Sequence, residues 1–331
     1  MQSLQFDVLG IGNAIVDIIG RCDDAFLARH DRAKGSMMLV DAETVSRIYA
    51  DMGPGIEISG GSVANTMVGI ASLGGRAAFI GKVADDEFGR IFAHDIHSAG
   101  VAYTTPPARV GAPTARSLIL VTPDGERTMN TFLGVSPELG GGEIEPGIIG
   151  GSGIIYLEGY LFDRPEAKAA FRQAAGLAIA AGRRVALTLS DAFCVDRHRA
   201  EFLDLIRQHV DILFANESEL KSLYQTATFE DALARVRKDT RLAAVTRSEK
   251  GAVICEGERL VAVPAASSGQ PVDTTGAGDL FAAGFLFGIA TGRDLETAGR
   301  LGCLAASEII SHIGARPETS LADLARGRGL L

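Results

Sequence analysis

The chain has 331 residues, 47% of them hydrophobic and 22% charged, a composition typical of a soluble α/β protein with a large core. Its formal net charge is −9 and it has no basic run, so nucleic acid is not an expected partner. The N-terminus shows no signal-peptide pattern, and the most apolar stretch, residues 280–291, is too short to span a bilayer. We therefore expect a cytoplasmic protein with no membrane partner. The four cysteines lack metal-ligand spacing and are expected to be reduced thiols.

The N-terminal segment predicts a buried strand at residues 6–12, ending in a glycine turn. The pair Gly10 and Gly12 does not continue as a dinucleotide-binding motif, because Ile15 occupies the third glycine position and the following residues favour an extended chain. A helix is predicted after the next glycine pair, with Ser62 as its N-cap. Gly81-Lys82 is not a P-loop either, since the earlier glycine and the following Ser or Thr are missing.

Strands and helices then alternate along the chain. The predicted strands are 77–83, 154–157, 185–189, 212–214 and 243–246, and the predicted helices include 87–99 and 165–181. This alternation predicts a central, mostly parallel sheet with helices on both faces, and ligands at the carboxyl ends of its strands.

Two segments interrupt this alternation. Residues 117–122 and 126–132 flank a Pro-Asp-Gly turn and predict a hairpin. We expect the segments 18–45 and 101–135 to form a small β-sheet lid. The core α/β domain is then expected to comprise residues 1–17, 46–100 and 136–331.

The most informative segment is residues 272–284, which read VDTTGAGDLFAAG. A glycine-rich turn at 274–278 precedes an apolar helix predicted at 280–289, so backbone amides of Gly276, Ala277 and Gly278 are expected to be free to bind an anion. Asp279 at the edge of these amides is suited to take a proton from a hydroxyl that attacks a bound phosphate. This combination indicates phosphoryl transfer, with Asp279 as the base.

The same segment resembles the C-terminal signature of the ribokinase-like (PfkB) carbohydrate and nucleoside kinases. Further segments resemble that family in the expected order: GGSVAN at 60–65, the stretch from Gly74-Gly75 to Gly89, and Asn216-Glu-Ser-Glu219. The resemblance covers essentially the whole chain and implies the ribokinase-like fold, ATP with Mg²⁺, and a small-molecule acceptor. It leaves a monomer and a homodimer both open.

Within that family, residues 12–17 (GNAIVD) resemble the adenosine kinases. The resemblance implies that Asn13 and Asp17 contact a nucleoside, and a carboxylate such as Asp17 can accept both hydrogen bonds of a ribose diol. It also implies acceptor contacts from the glycine-pair segment, at Gly61, Ser62 and Asn65. The base pocket should be apolar, and the matching positions are Met38, Met129, Leu133 and Tyr160. Tyr160 is suited to stack on a purine.

The resemblance also assigns residues to ATP and its metal. Asn216 and Glu219 are expected to orient Mg²⁺ through water, and Thr246, Ser248 and Gly251 to bind the nucleotide. Arg127, beside the hairpin turn, is expected to reach the transferring phosphoryl group, for which a guanidinium is well shaped; a solvent-exposed arginine is the alternative. A monovalent-cation site (K⁺) is implied near Asp273, Thr275 and residues 311–314.

The predicted reaction is phosphorylation of a primary hydroxyl by ATP, with adenosine, converted to AMP in purine salvage, as the favoured acceptor. A sugar kinase of the ribokinase or fructokinase type is the first alternative, and a polar acceptor pocket would favour it. A kinase-like binding protein without catalysis is the second. The intact Asp279 and its amide turn argue against this second alternative.

Overall fold

The computed structural model describes residues 4–266 and 269–331. Within them, fourteen strands form a nine-stranded and a five-stranded sheet. The strands are β1 Phe6–Ile11, β2 Ile15–Arg21, β3 Met37–Leu39, β4 Gly55–Gly60, β5 Ala77–Ile80, β6 Ala102–Tyr103, β7 Ala115–Val121, β8 Arg127–Phe132, β9 Ser152–Glu158, β10 Arg184–Thr188, β11 Ile212–Asn216, β12 Leu242–Thr246, β13 Ala252–Glu256 and β14 Arg259–Val263.

The α-helices lie mostly between these strands. They are α1 Asp24–Arg29, α2 Ala42–Asp51, α3 Ser62–Ser72, α4 Glu87–Ser98, α5 Pro146–Gly150, α6 Pro165–Ala180, α7 Ala192–His209, α8 Glu217–Tyr224, α9 Phe229–Asp239, α10 Ala277–Ala290, α11 Leu295–Ile309 and α12 Leu321–Gly327. Among these described helices, none combines the length and apolar character that crossing a membrane requires.

The large sheet has the order β14-β13-β12-β11-β10-β9-β1-β5-β6, and its strands are parallel from β12 to β6. Alternate residues of a strand face opposite sides. In β1, Val8 packs into one hydrophobic cluster and Leu9 into the other. Helices therefore cover both faces, and the expected central, mostly parallel sheet with helices on both faces is confirmed.

Polar residues stand in register at the carboxyl edge of this sheet. Thr188, at the end of β10, pairs with Glu158 at the end of β9, and Asn216 of β11 pairs with Thr246 of β12. The residues just before this edge are all aliphatic or aromatic and buried, at 154–157, 185–187, 212–215 and 242–245. The register therefore gathers polar side chains along one line, where ligands bind in open α/β sheets.

The small sheet has the order β3-β8-β7-β2-β4. The expected hairpin is present as the antiparallel pair β7 and β8. Strand β2 begins at Ile15, just after β1, and pairs with β4, Gly55–Gly60, which we had expected in the core domain. Strand β6, expected in the lid, instead pairs with β5 of the large sheet. Short β-pairings of this kind depend on distant partners that local sequence does not show.

Candidate active site

A cavity of about 310 Å³ lies where the small sheet faces the carboxyl edge of the large sheet. This volume falls in the range of small-molecule sites. The small sheet contributes Asp17, Ser117, Met129 and Thr131, and helix α3 contributes Ser62 and Asn65. Its remaining lining residues include Gly61, Tyr160, Thr188, Ser190, Asn216, Glu219, Thr275, Gly276, Gly278 and Asp279.

Asp279 lines this cavity, and two side chains of helix α3 orient its carboxylate. Ser62 Oγ donates to Asp279 Oδ1 at 2.6 Å, and Asn65 Nδ2 donates to Asp279 Oδ2 at 3.0 Å. Burial raises the pKa of Asp279, while the bonds from Ser62 and Asn65 and the charge of Arg316 oppose that rise. A raised pKa makes the carboxylate a stronger base near neutral pH.

Ser62 and Asn65 were both expected to contact the acceptor. They line the cavity, but each donates a hydrogen bond to Asp279 and so orients that carboxylate. Ser62 is also not the N-cap of α3. That position belongs to Gly61, and Ser62 is the first helical residue, so its hydroxyl is free to reach Asp279.

The glycine-rich turn forms the start of helix α10. Gly276 is the N-cap with φ of +79°, a left-handed conformation that favours glycine. The helix begins at Ala277, three residues earlier than predicted, so Gly278 and Asp279 lie in its first turn. Ala277 N donates to Thr274 O at 3.2 Å, and its amide is therefore not free as expected. Among the hydrogen bonds of the described residues, none occupies the amides of Gly276 or Gly278.

Asp17, on strand β2, lines the same cavity. Burial raises its pKa to about 7; Arg316 opposes this rise and the charge of Asp279 adds to it. Arg316 itself bridges the small sheet and helix α3, donating to Ser59 O at 2.8 Å and Ala64 O at 2.9 Å. Two carboxylates therefore line one cavity, and the Arg316 guanidinium opposes the rise in pKa of both.

The expected apolar pocket is only partly present. Met129 and Tyr160 line the cavity, whereas Asn13, Met38 and Leu133 do not occur among its described lining residues. Met38 pairs with Asn130, which faces the opposite side of β8 from Met129, and Leu133 lies beyond the end of that strand.

Asn13 is enclosed instead of exposed to the cavity. Its amide donates to Glu158 Oε1 at 2.6 Å and accepts a hydrogen bond from Ser136 Oγ at 2.9 Å. The cavity wall carries a hydroxyl pair that the sequence did not indicate. Ser117 Oγ lies 2.9 Å from Thr131 Oγ1 on neighbouring strands of the small sheet.

A second cavity of about 750 Å³ adjoins the first across Asn216, Gly278 and Phe281, which line both. Of the residues expected to bind ATP, Thr246, Ser248 and Gly251 line it, together with Asn216, Ala277 and Gly278. The amide turn and Asp279 therefore lie where the two cavities meet. An acceptor in the first cavity and a nucleotide in the second would approach each other at Gly278.

Asn216 and Glu219 form a reciprocal cap at the start of helix α8. Asn216 N donates to Glu219 Oε2 at 2.9 Å, and Glu219 N donates to Asn216 Oδ1 at 2.8 Å. Burial raises the pKa of Glu219 to about 7. Among described residues, no cluster of three or more His, Cys, Asp or Glu side chains could hold a metal directly. Asn216 donates to both Glu219 oxygens, but a carboxylate has about four acceptor sites, so this carboxylate would still suit contact through water to Mg²⁺.

Arg127 is buried and not solvent-exposed, which removes the alternative considered above: only 9% of its side chain is accessible. Its Nη1 contacts Asp273 Oδ2 at 2.5 Å and donates to Thr275 Oγ1 at 3.1 Å. Within the described part of the chain, Nε and Nη2 have no hydrogen-bond partner. These buried donors lie beside the amide turn, and an anion there would satisfy them.

The implied monovalent-cation site fits this arrangement poorly. Asp273 Oδ1 accepts from Thr275 N at 3.1 Å and Thr275 Oγ1 at 2.8 Å, while Oδ2 accepts from Gly314 N at 3.1 Å and contacts Arg127. A carboxylate has about four acceptor sites. The residues expected to bind the cation therefore already bind each other and a guanidinium.

Sequence reasoning missed Glu158, Arg316, Ser117 and Thr131. Glu158 had a visible signal, because it is a carboxylate at the end of the apolar run IIYL. Ser117 and Thr131 are polar residues on the hairpin, so the sequence indicates that the hairpin has a polar face, but not that this face lines the cavity. Nothing near Arg316 indicates that it reaches Ser59, 257 residues earlier in the chain.

A carboxylate at an amide turn, between a nucleotide-sized and a smaller cavity, is the arrangement of a phosphotransferase that uses an alcohol as acceptor. The comparisons agree with this class. The chain belongs to the PfkB family, since the pfkB family carbohydrate kinase pattern matches residues 57–321. It is accordingly an ATP-dependent kinase.

Three relatives illustrate the range of the family. A probable sugar kinase of Rhizobium etli is 53% identical, with a TM-score of 0.92 over 99% of this chain and 100% of that one. An adenosine kinase of Sinorhizobium meliloti is 54% identical, with a TM-score of 0.90 over 98% of this chain and 99% of that one. An uncharacterised sugar kinase of Archaeoglobus fulgidus is 31% identical over 255 residues, 75% of this chain and 97% of that protein. Similarity therefore establishes the family and not the acceptor.

Proposed function

We propose that this kinase transfers the γ-phosphoryl group of ATP to the 5′-hydroxyl of adenosine. The observation that carries this proposal is a single cavity lined by Asp17, Asp279 and Tyr160. Asp17 can bind a ribose diol, Asp279 can take the proton of the 5′-hydroxyl, and the Tyr160 ring can stack on a base. The Sinorhizobium meliloti relative, named an adenosine kinase, supports this acceptor.

The residues divide the reaction between them. Asp279, oriented by Ser62 and Asn65, accepts the proton from the attacking hydroxyl. The free amides of Gly276 and Gly278 stabilise charge on the transferred group, and the unpartnered nitrogens of Arg127 bind it from the small sheet. Asn216 and Glu219 would hold Mg²⁺ through water, and the metal would supply positive charge to the phosphates when it is bound with ATP.

A sugar kinase remains the second candidate, and one observation favours it. Ser117 and Thr131 place hydroxyl groups on the wall expected to be apolar, and hydroxyls bind sugars well. The relative named as a probable sugar kinase, at 53% identity, is consistent with this candidate.

The decisive experiment is a panel of acceptors with saturating ATP, read as ADP release below acceptor saturation. We expect kcat/KM for adenosine to exceed that for ribose or fructose by at least about 10²-fold, or roughly 2.7 kcal/mol. A preference for a free sugar would reject the nucleoside proposal and leave the kinase assignment intact. Inosine, guanosine and cytidine complete the panel, because they share the ribose and differ only in the base.

A further inference from the structure

Glu158 is a buried carboxylate that touches neither cavity. It is the last residue of β9 and only 1% of it is accessible. Oε1 accepts from Asn13 Nδ2 at 2.6 Å, and Oε2 accepts from Asn13 N at 3.2 Å and Val63 N at 3.1 Å. Within residues 4–266 and 269–331, no lysine, arginine or histidine bonds to it. Its hydrogen bonds therefore come only from uncharged donors.

The bond to Val63 fixes the start of helix α3. The first amides of a helix need acceptors from outside the helix. The N-cap of α3 is Gly61, which has no side chain to supply one, and Glu158 supplies it from a strand 95 residues away. A negative charge at this end of a helix is also favourable.

The turn that Glu158 fixes is the turn that orients the base. Ser62 precedes Val63 and Asn65 follows it by two residues, and both donate to Asp279. We propose that Glu158 is a positioning residue for catalysis, which holds the first turn of α3 so that Ser62 and Asn65 present Asp279 to the acceptor hydroxyl. The proposal rests on the proposed role of Asp279 as the base.

The surroundings show that this carboxylate is costly for the fold. Burying a charge without a cation is unfavourable, and the pKa of Glu158 is raised to about 7 by burial, against the bonds from Asn13 and Val63. The neighbouring backbone makes room for it, because a Cβ at Gly12 would lie 2.3 Å from Glu158 Oε2. A cap needed only for stability could be made more cheaply by a neutral side chain.

Glu158→Gln tests the proposal because glutamine has nearly the same shape as glutamate but carries an NH₂ donor in place of one acceptor oxygen. That NH₂ group would face the NH₂ group of Asn13, and two donors cannot form a hydrogen bond. Turning the Asn13 amide around would leave the Ser136 hydroxyl, which now donates to Asn13 Oδ1, without that acceptor. In the double variant Glu158→Gln/Asn13→Asp, the amide of residue 158 donates to the carboxylate of residue 13. The hydrogen bond is restored with donor and acceptor exchanged, and one buried carboxylate is kept.

We expect Glu158→Gln to lower kcat at least 10-fold while KM for ATP changes less than 3-fold, and the double variant to recover most of that loss. The matched control is Asp211→Asn. Asp211 is a part-buried carboxylate that also accepts a backbone hydrogen bond, from Val185 N at 2.9 Å, but it precedes the amino end of β11, at the opposite edge of the large sheet from the cavities. This control should retain kcat within 2-fold.

A double-mutant cycle with Asp279→Asn distinguishes a purely structural role of Glu158 from a role in positioning Asp279. In the Asp279→Asn background, Glu158→Gln should cause less than a 2-fold further loss of kcat, because its effect passes through Asp279. The proposal is overturned if the full loss persists there, if the double variant shows no recovery, or if folded Glu158→Gln keeps wild-type kcat.

Two outcomes need separate handling. If Glu158→Gln does not fold, Glu158→Asp gives the same test. Aspartate keeps the negative charge, but its side chain is one methylene shorter, so the carboxylate moves away from Asn13 and Val63. Unchanged kcat in that variant would also overturn the proposal. If Asp279→Asn alone keeps wild-type turnover, the assignment of the base is wrong, a result independent of what Glu158→Gln does on its own. All rates use the best acceptor from the panel above.

Discussion

Arg127 Nη1 lies 2.5 Å from Asp273 Oδ2 and joins the first residue of strand β8 to the turn before helix α10. The small sheet is thereby tied to the amide turn by a buried ion pair. Both side chains are almost fully enclosed, with 9% and 6% accessible. Enclosed pairs are screened less by salt than exposed pairs, so this link between the small sheet and the turn is expected to depend little on ionic strength.

The same ion pair predicts that the kinase does not depend on a monovalent cation. Asp273, the implied cation ligand, already accepts from Thr275 and Gly314 and contacts Arg127. We expect kcat/KM in potassium chloride and in choline chloride, at equal ionic strength, to agree within about 2-fold. The melting temperature should also be the same in both salts. Activation of about 5-fold or more by K⁺, and not by choline, would contradict this reading of Asp273.

The second prediction concerns the base. Asp279→Asn keeps the shape and one acceptor oxygen, so Ser62 or Asn65 can still bind it, but the amide cannot take a proton. We expect kcat to fall by about 10²–10⁴-fold with little change in ATP affinity. Asp294→Asn is the matched control: Asp294 caps helix α11 far from the cavities, and asparagine caps a helix as well. Turnover near wild type in Asp279→Asn would exclude this residue as the base.

Much of this arrangement follows from local sequence. The alternation of apolar runs and helices predicted the large parallel sheet, and the Pro-Asp-Gly turn predicted the hairpin, because both patterns act between near neighbours. The glycine-rich turn at 274–278 is local in the same way. Two expectations for this segment were wrong: α10 begins at Ala277, since a left-handed Gly276 can act as N-cap, and the Ala277 amide is not free because it bonds to Thr274.

Contacts between distant segments could not be predicted. Glu158 meets Asn13 across 145 residues and Arg127 meets Thr275 across 148. A single sequence shows no pairing at such separations. Strand register was the other gap: Met38 was expected at the acceptor, but a shift of one residue turns a side chain to the other face, and Met37 is the residue paired with Met129.

The third prediction concerns recognition of the diol. Asp17→Ala should raise KM for the acceptor much more than KM for ATP, because Asp17 lines the first cavity and not the second. The expected loss is about 1.5–3 kcal/mol, typical of hydrogen bonds to a charged group. The test compares steady-state rates with each substrate varied. If the wild type used 2′- and 3′-deoxynucleosides as well as adenosine, recognition of the diol by Asp17 would be wrong.

The fourth prediction is the pH dependence of stability without ligand. Burial raises the pKa of Asp17 from 3.8 to about 7, so the folded protein binds this proton more tightly than the unfolded chain. The stabilisation is greatest below pH 4 and is lost as the pH rises to about 7. The full difference is at most roughly 4 kcal/mol, and less because the cavity admits water.

Asp17→Asn removes this titration. We expect its melting temperature to exceed that of the wild type by more at pH 8 than at pH 5, measured without substrate. Asp294→Asn is the control and should show no such difference between the two pH values, because hydrogen bonds from Thr297 lower the pKa of Asp294 from its usual value. An equal shift at both pH values for Asp17→Asn would mean that Asp17 is ionised throughout this range.

The last prediction concerns the base of the nucleoside. Tyr160 lines the first cavity, and its hydroxyl donates to Ser190 O at 3.4 Å, a long bond that contributes little. Tyr160→Phe keeps the ring and should leave KM for adenosine nearly unchanged. Tyr160→Ala removes the stacking surface, a loss of about 1–3 kcal/mol per stacked base, and should raise KM for adenosine by roughly 5–150-fold. Turnover of ribose or fructose should change little, because neither offers a flat ring to stack. An equal effect of Tyr160→Ala on nucleosides and sugars would show that Tyr160 supports the cavity wall and does not recognise a base, and would favour the sugar-kinase candidate.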